Sequence, residues 1–230
     1  MLVATEFSDL RPELNSVLFQ VTPEHIILAA TDSFRLAEQR IPSAQFLGSG
    51  EKEFSALIPL KTGQELLRLL DGQETATVRV DENQILVSAG AAECISRIVE
   101  GTFPEYSTIV PASFKTELTV GRDELMEAIK LASVFNGRNS EVRFAYARER
   151  KALEVSAAAQ GVGENAYVLP ATIRGEDGEA LFNGRYINDL LRVARGKELF
   201  IGLNDEAAPA LLRSQGDASY YYIVKPILKT

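Results

Sequence analysis

Sliding the 230-residue chain against itself exposes an internal repeat, and no other feature limits its possible folds as much. In the first copy Ile58-Pro59-Leu60-Lys61 leads to Glu65-Leu66-Leu67-Arg68; in the second Phe182-Asn183-Gly184-Arg185 leads to Asp189-Leu190-Leu191-Arg192. The offset persists, since Val17-Leu18-Phe19 answers Val142-Arg143-Phe144 and Arg97-Ile98-Val99-Glu100 answers Tyr222-Ile223-Val224-Lys225. A copy of about 115 to 125 residues is a small domain, so two like domains are expected, 1–112 and 113–230, joined near Pro111 to Lys115. Leu118 to Phe135 has its counterpart mostly before residue 1, where only Leu2 to Phe7 remains, with Val3-Ala4-Thr5 answering Leu131-Ala132-Ser133. The first copy is therefore expected to lack its opening strand and most of a helix, which would uncover a sheet edge and a helix face.

Hydrophobic periodicity gives the fold class. Alternating or β-branched stretches at Leu14 to Val21, Ile26 to Thr31, Thr75 to Val80, Gln84 to Ala89, Ala152 to Ala157 and Ala210 to Arg213 predict strands. Asp71-Gly72, Asp81 to Asn83, Gly161 to Gly163 and Asp177-Gly178 predict the turns between elements. Lys61 to Leu70, Arg122 to Phe135 and Arg185 to Ala194 carry apolar residues at three- and four-residue spacing and predict amphipathic helices. The class is α+β with sheet predominating.

Composition excludes several functions. The formal charge is −8, with 24 Lys and Arg spread along the chain, so no basic arm marks a tight nucleic-acid binder. A single cysteine, Cys94, excludes an intrachain disulfide and a cysteine-cluster metal site. Neither a membrane-spanning apolar run nor a secretory leader pattern is present, and a soluble cytoplasmic protein is expected. The one histidine, His25, stands beside Pro23-Glu24 with no cysteine or serine motif. No Gly-x-Ser-x-Gly elbow, phosphate-binding glycine loop or His-Glu-x-x-His helix occurs. Gly161-Val162-Gly163 reads as a hairpin turn, and Asp32 and Glu93 as structural hydrogen-bonding groups. The expectation is a non-enzyme with no cofactor and no metal.

At Ala30-Thr31-Asp32-Ser33-Phe34-Arg35-Leu36-Ala37 the sequence resembles the β subunit of bacterial DNA polymerase III, the sliding clamp. Leu14-Asn15 before a Leu-Phe strand, Gly101-Thr102-Phe103-Pro104-Glu105-Tyr106, Phe182-Asn183 followed by Tyr186, and a Tyr-rich last strand ending near a proline follow in the family's order. The resemblance covers Leu2 to the C-terminus. It implies the family's second and third domains, antiparallel sheets with inner-face helices, and no counterpart of its first domain. In the family, six such domains form a ring around duplex DNA, closed by two three-domain chains, with sheets outside and helices lining the hole.

The resemblance also implies two sets of working residues. A pocket between the second and third domains takes short hydrophobic peptides of the polymerase III α subunit, the clamp loader δ subunit and repair polymerases. Carried over residue by residue, it comprises Leu14, Thr31, Ser33, Phe34, Arg35, Leu36, Pro104, Thr108 and Ile109 on the second domain. On the third domain it comprises Asn139, Asn183, Tyr186, Ala207, Pro209, Ile223, Lys225, Pro226, Ile227 and Leu228. Apolar walls would supply affinity, and Arg35, Asn183 and backbone groups would orient the peptide. The family commonly closes with a Met-Pro-Met-Arg-Leu-like tail, whereas this chain has Lys225-Pro226-Ile227-Leu228-Lys229-Thr230, which exchanges an adaptable apolar side chain for a cation. The second set faces DNA. Lys61 and Arg68 lie seven apart on one helix face, opposite Leu66, Leu69 and Leu70; Arg185 and Arg192 repeat the spacing, and Lys130 adds a cation from the third helix.

Two other readings stand beside this one: a two-domain chain that closes a six-domain ring as a trimer, and a β-rich interaction module unrelated to replication. In the family the dimer contact joins first and third domains, so the parent is expected to be a homodimer and this chain a monomer.

Overall fold

The computed structural model describes residues 1–5, 11–48, 53–135, 140–159 and 163–228. They form two compact units, Met1–Glu105 and Tyr106–Thr230.

In the first unit, strands β1 (Ser16–Val21), β2 (His25–Thr31), β3 (Arg35–Pro42) and β4 (Phe54–Pro59) form an antiparallel sheet in the order β3-β2-β1-β4. Phe19 stands opposite Leu28 on one side and Ala56 on the other. Helix α1 (Leu60–Leu69) follows β4 without a linker. Strands β5 (Thr77–Val80), β6 (Gln84–Ala89) and β7 (Ala92–Arg97) then form a three-stranded antiparallel sheet. The β5–β6 turn is built by Asp81, whose carboxylate accepts from the Asn83 and Gln84 N–H groups at 2.8 and 2.7 Å. Phe19, Ile58, Ile85 and Val87 form one core cluster, with Leu66 and Leu69 of α1 packed on it. Leu70 does not join them. It is the C-cap of α1, one residue past the helical stripe, and is exposed like Leu67.

The second unit begins with β8 (Thr116–Gly121) and α2 (Arg122–Ala132), which runs on into a 3-10 turn at Ser133–Phe135. Next come β9 (Glu141–Ala147), β10 (Ala152–Ala159), β11 (Gly163–Gly175) and β12 (Gly178–Asn183). Helix α3 (Gly184–Val193) precedes β13 (Glu198–Leu203), β14 (Ala210–Ser214) and β15 (Tyr220–Val224). The strands form one antiparallel run, β12-β9-β10-β11-β8-β13-β14-β15. Alternation is strict in β9, where Val142, Phe144 and Tyr146 point inward. Leu125, Ala128 and Ile129 of α2 and Ile187, Leu190 and Leu191 of α3 bury against this sheet.

The repeat in the sequence is a repeat in the hydrogen bonding. The Leu60 N–H donates to Asn15 O at 3.0 Å, and the Gly184 N–H donates to Ser140 O at 2.8 Å, so each helix starts pinned to the chain entering a strand. The Val99 N–H donates to Leu57 O and the Ile227 N–H to Leu181 O, both at 2.7 Å, laying the segment after the last strand along the strand before the helix. One element has no partner in the comparison. In the second unit β8 joins β11 to β13, whereas no described strand pairs with both β3 and β5. Leu67 and Ile95, each 66% exposed, leave apolar surface in water on the first unit.

The Phe144 and Phe182 rings meet edge-on with centroids 5.4 Å apart, and both side chains are fully buried. Phe182→Ala should lower stability by about 3–5 kcal/mol through lost transfer energy and the cavity left behind. Urea unfolding followed by circular dichroism checks this; a loss below about 1 kcal/mol would mean that the second unit repacks around the gap.

Candidate functional site

The first candidate surface is the β2–β3 turn. Its tip carries Phe34, a large apolar side chain 57% exposed. Such a group in water at a turn needs a rigid support if it is to bind anything, because ordering it on binding costs entropy. Asp32 supplies that support. Its Oδ1 accepts from the backbone N–H groups of Phe34 and Arg35, both at 2.9 Å, and its Oδ2 accepts from Arg35 Nε at 2.8 Å. The Asp32 side chain is 2% exposed and that of Arg35 11%, so the ion pair is shielded from water. Thr31 Oγ1 donates to Arg35 O at 2.7 Å and accepts from the Ser33 N–H at 3.1 Å. Together these bonds hold Ser33 at φ +76°, a left-handed conformation that costs a residue with a Cβ about 1–2 kcal/mol. Thr31 and Leu36, which flank the turn, are buried, and so is Leu14 ahead of β1.

Other expected pocket residues fall as follows. Pro104 is half-buried in the first unit, whereas Thr108 and Ile109, which the resemblance places on the same domain, lie exposed in the second unit, within and at the end of a 3-10 turn, Ser107–Ile109. Compactness divides the chain after Glu105, ahead of the 112/113 division read from the repeat. Asn183 is the N-cap of α3, where its Oδ1 accepts from the Arg185 N–H at 3.0 Å. That oxygen is committed to the helix. Tyr186 is half-buried one turn on, Ile223 is buried in β15, and Lys225 is exposed. Pro226 and Ile227 run along β12, and Leu228 is 60% exposed. Ala207 and Pro209 sit in the β13–β14 loop, the first exposed and the second half-buried. Asn139 lies outside the described residues.

The β13–β14 loop is itself anchored. Asn204 accepts from the Lys115 N–H at 2.9 Å through Oδ1 and donates to Ser113 O at 3.0 Å through Nδ2. The Phe114 ring lies over Gly202, where a Cβ would come within 2.4 Å of it. Asp205 pairs with Lys115, which holds the ammonium above its usual pKa through that hydrogen bond and charge. Being fully exposed, this pair adds little to stability.

The second candidate surface is the solvent side of the helices. Lys61 and Arg68 on α1, Lys130 on α2, and Arg185 and Arg192 on α3 are all exposed. On α3 the two cations share the face opposite the buried Ile187, Leu190 and Leu191, and on α1 Lys61 and Arg68, seven residues apart, share one face. Arg68 also meets Glu65 through Nη1 at 2.9 Å, an exposed i,i+3 pair. Among the described residues no group of three His, Cys, Asp or Glu side chains could hold a metal, and no helix is long and apolar enough to cross a membrane. His25 is partly exposed, and its Nδ1 lies 4.0 Å from Glu24 Oε2.

Two repeated antiparallel domains, each with a basic helix face, define the class: a clamp-type α+β protein. The family model of the DNA polymerase III beta subunit central domain matches residues 1–105, and that of its C-terminal domain matches residues 107–228; the chain belongs to the DNA polymerase III beta subunit family. It is 29% identical to the beta sliding clamp of Bacillus subtilis over 228 residues, covering 97% of this chain and 59% of that one. To the beta sliding clamp of Escherichia coli K12 it is 29% identical over 232 residues, covering 99% and 62%. The solved DNA polymerase sliding clamp of Bacillus subtilis matches with a TM-score of 0.92 at 28% identity, over all of this chain and 60% of that one. The chain thus spans about 60% of the length of the relatives it matches.

Asp32→Ala should destabilise the first unit by about 2–4 kcal/mol, because two backbone donors and a shielded guanidinium lose their acceptor together. Asp32→Asn, which keeps Oδ1, should lose less. Chemical denaturation of the two variants checks this, and equal stability of Asp32→Ala and the parent would remove the Asp32 network as the support of the turn.

Proposed function

We propose that this chain is the partner-binding portion of a DNA sliding clamp, a non-catalytic cytoplasmic processivity factor that tethers polymerase, clamp loader and repair proteins to duplex DNA. The observation that carries the reading is the braced β2–β3 turn. In a protein of this family, five hydrogen bonds, one of them within the shielded Asp32–Arg35 ion pair, hold one phenylalanine out in water, and burial by a partner removes that apolar surface at about 25 cal/mol per Å². Phe34, Ile109 and Leu228 are large apolar side chains left exposed within the set implied by the resemblance. The residues on the first unit and those around Asn183, Tyr186 and the tail act together on one short peptide with hydrophobic anchors.

The helices serve the other partner. Lys61, Arg68, Lys130, Arg185 and Arg192 attract phosphates without reading bases, while the net charge of −8 opposes tight unspecific binding. Sparse contacts of this kind let a ring slide. Holding DNA is topological and belongs to a closed ring; peptide binding belongs to residues 1–230.

Titration calorimetry with a Gln-x-x-Leu-Phe peptide should show one site per chain. Tyr186→Ala, or removal of Ile227 to Thr230, should weaken it tenfold or more with the melting temperature little changed; unchanged affinity in both would sink the assignment. For the helices, Arg185→Glu with Arg192→Glu should abolish weak duplex binding at low salt in fluorescence anisotropy, and the parent's binding should fade steeply as NaCl rises. Duplex binding that ignores both the substitutions and the salt would contradict a phosphate-facing role.

A further inference from the structure

We infer that the Tyr222 hydroxyl is a positioning group for the proposed peptide site, holding the first turn of α3, and with it Tyr186, against β15. The inference rests on the peptide-binding reading above and adds a residue that touches no partner.

Two stretches of the second unit run side by side as rails. One is Leu181 to Tyr186, the end of β12 and the start of α3; the other is Tyr222 to Ile227, the end of β15 and the tail. Two hydrogen bonds join them as rungs. Tyr222 Oη donates to Tyr186 O at 3.1 Å, and the Ile227 N–H donates to Leu181 O at 2.7 Å. Between the rungs lie Asn183 on one rail and Ile223, Lys225 and Pro226 on the other, with Tyr186 itself at the upper rung. Pro226 has no N–H, so Ile227 is the first donor past Lys225 that can close the lower rung.

The upper rung is suited to setting a position rather than to holding the fold. Tyr222 is fully buried, and a buried phenol requires an acceptor. Tyr186 O already accepts the α-helical bond from residue 190, so the hydroxyl occupies its second lone pair. Removing the hydroxyl therefore leaves neither group unsatisfied, and the ring still fills its place. What is lost is the tie that fixes how far the first turn of α3 stands from β15. The repeat shows the same tie in other atoms. In the first unit Thr62, on the first turn of α1, shares a hydrogen bond of 2.7 Å with Ser96 of β7. Helix and last strand are thus linked side chain to side chain in one copy. In the other the link reaches from a buried phenol to the backbone beneath Tyr186.

The test is a double-mutant cycle read by titration with the Gln-x-x-Leu-Phe peptide: parent, Tyr222→Phe, Tyr186→Ala, and both together, each with its melting temperature. Tyr222→Phe should bind about three- to tenfold more weakly, the range set by one neutral hydrogen bond, while melting nearly as the parent does. Against a Tyr186→Ala background it should cause no further loss, because its effect passes through that side chain. Parent-like affinity of Tyr222→Phe alongside a weakened Tyr186→Ala overturns the positioning role and leaves the site reading intact. An equal loss with and without Tyr186, accompanied by a lower melting temperature, overturns it as well, since that is a purely structural contribution. A parent that binds no peptide overturns the site reading and this inference with it.

Discussion

The direct passage from strand to helix, at Pro59-Leu60 and again at Asn183-Gly184, sets the geometry on which everything else depends. No linker intervenes, and the first helical N–H bonds back to the residue that enters the neighbouring strand, Asn15 in one copy and Ser140 in the other. At Gly184 the contact is tightest, since a Cβ there would lie 3.0 Å from Val142 Cγ1 and 3.4 Å from Ser140 O. The helix must therefore lie across its sheet with Ile187, Leu190 and Leu191 inward, which leaves Arg185 and Arg192 in water. The same junction brings Asn183 and Tyr186 beside β15 and the tail. One backbone constraint thus places both a basic face and the residues of the proposed peptide site that lie on α3.

A second constraint acts at the β2–β3 turn, where backbone strain and a shielded ion pair are balanced against each other. Ser33 adopts a conformation that glycine would enter more readily, and the Asp32 carboxylate makes it persist by capping two successive N–H groups. The free energy held in that network lets Phe34 stay outward. Acidic overall charge and local basic faces are compatible for a related reason: the field near a helix surface depends on charges within about 8–10 Å at physiological salt, not on the sum over the chain.

Much of the fold was legible in the sequence because it rests on periodicity. The 3.6-residue stripe located α3 to within a residue and the start of α2 to the residue, with the last three expected positions of α2 forming a 3-10 turn, and strand alternation located β6 to the residue. The self-match of Val17-Leu18-Phe19 with Val142-Arg143-Phe144 corresponds to equivalent pairings, Phe19 with Ala56 and Phe144 with Ala180. What periodicity could not show were the ends and the ties. Leu70 fits the apolar stripe yet falls at a cap; Thr108 and Ile109 belong to the second unit because the chain folds onto it earlier than the repeat suggested. Asp32 was legible as a hydrogen-bonding residue but not as the brace of an exposed phenylalanine. Tyr222 carried no signal, since one tyrosine in a run of three gives no hint which hydroxyl reaches a helix 36 residues away.

Residues on the braced turn and on the α3–tail rails are proposed to serve one peptide. Amide chemical-shift mapping on the 230-residue chain during titration with the Gln-x-x-Leu-Phe peptide tests it most directly. Saturable shifts of common affinity are expected in 31–36, 181–187 and 223–228, with α1 and α2 undisturbed. Shifts confined to one of these segments, or centred elsewhere on the surface, would contradict it.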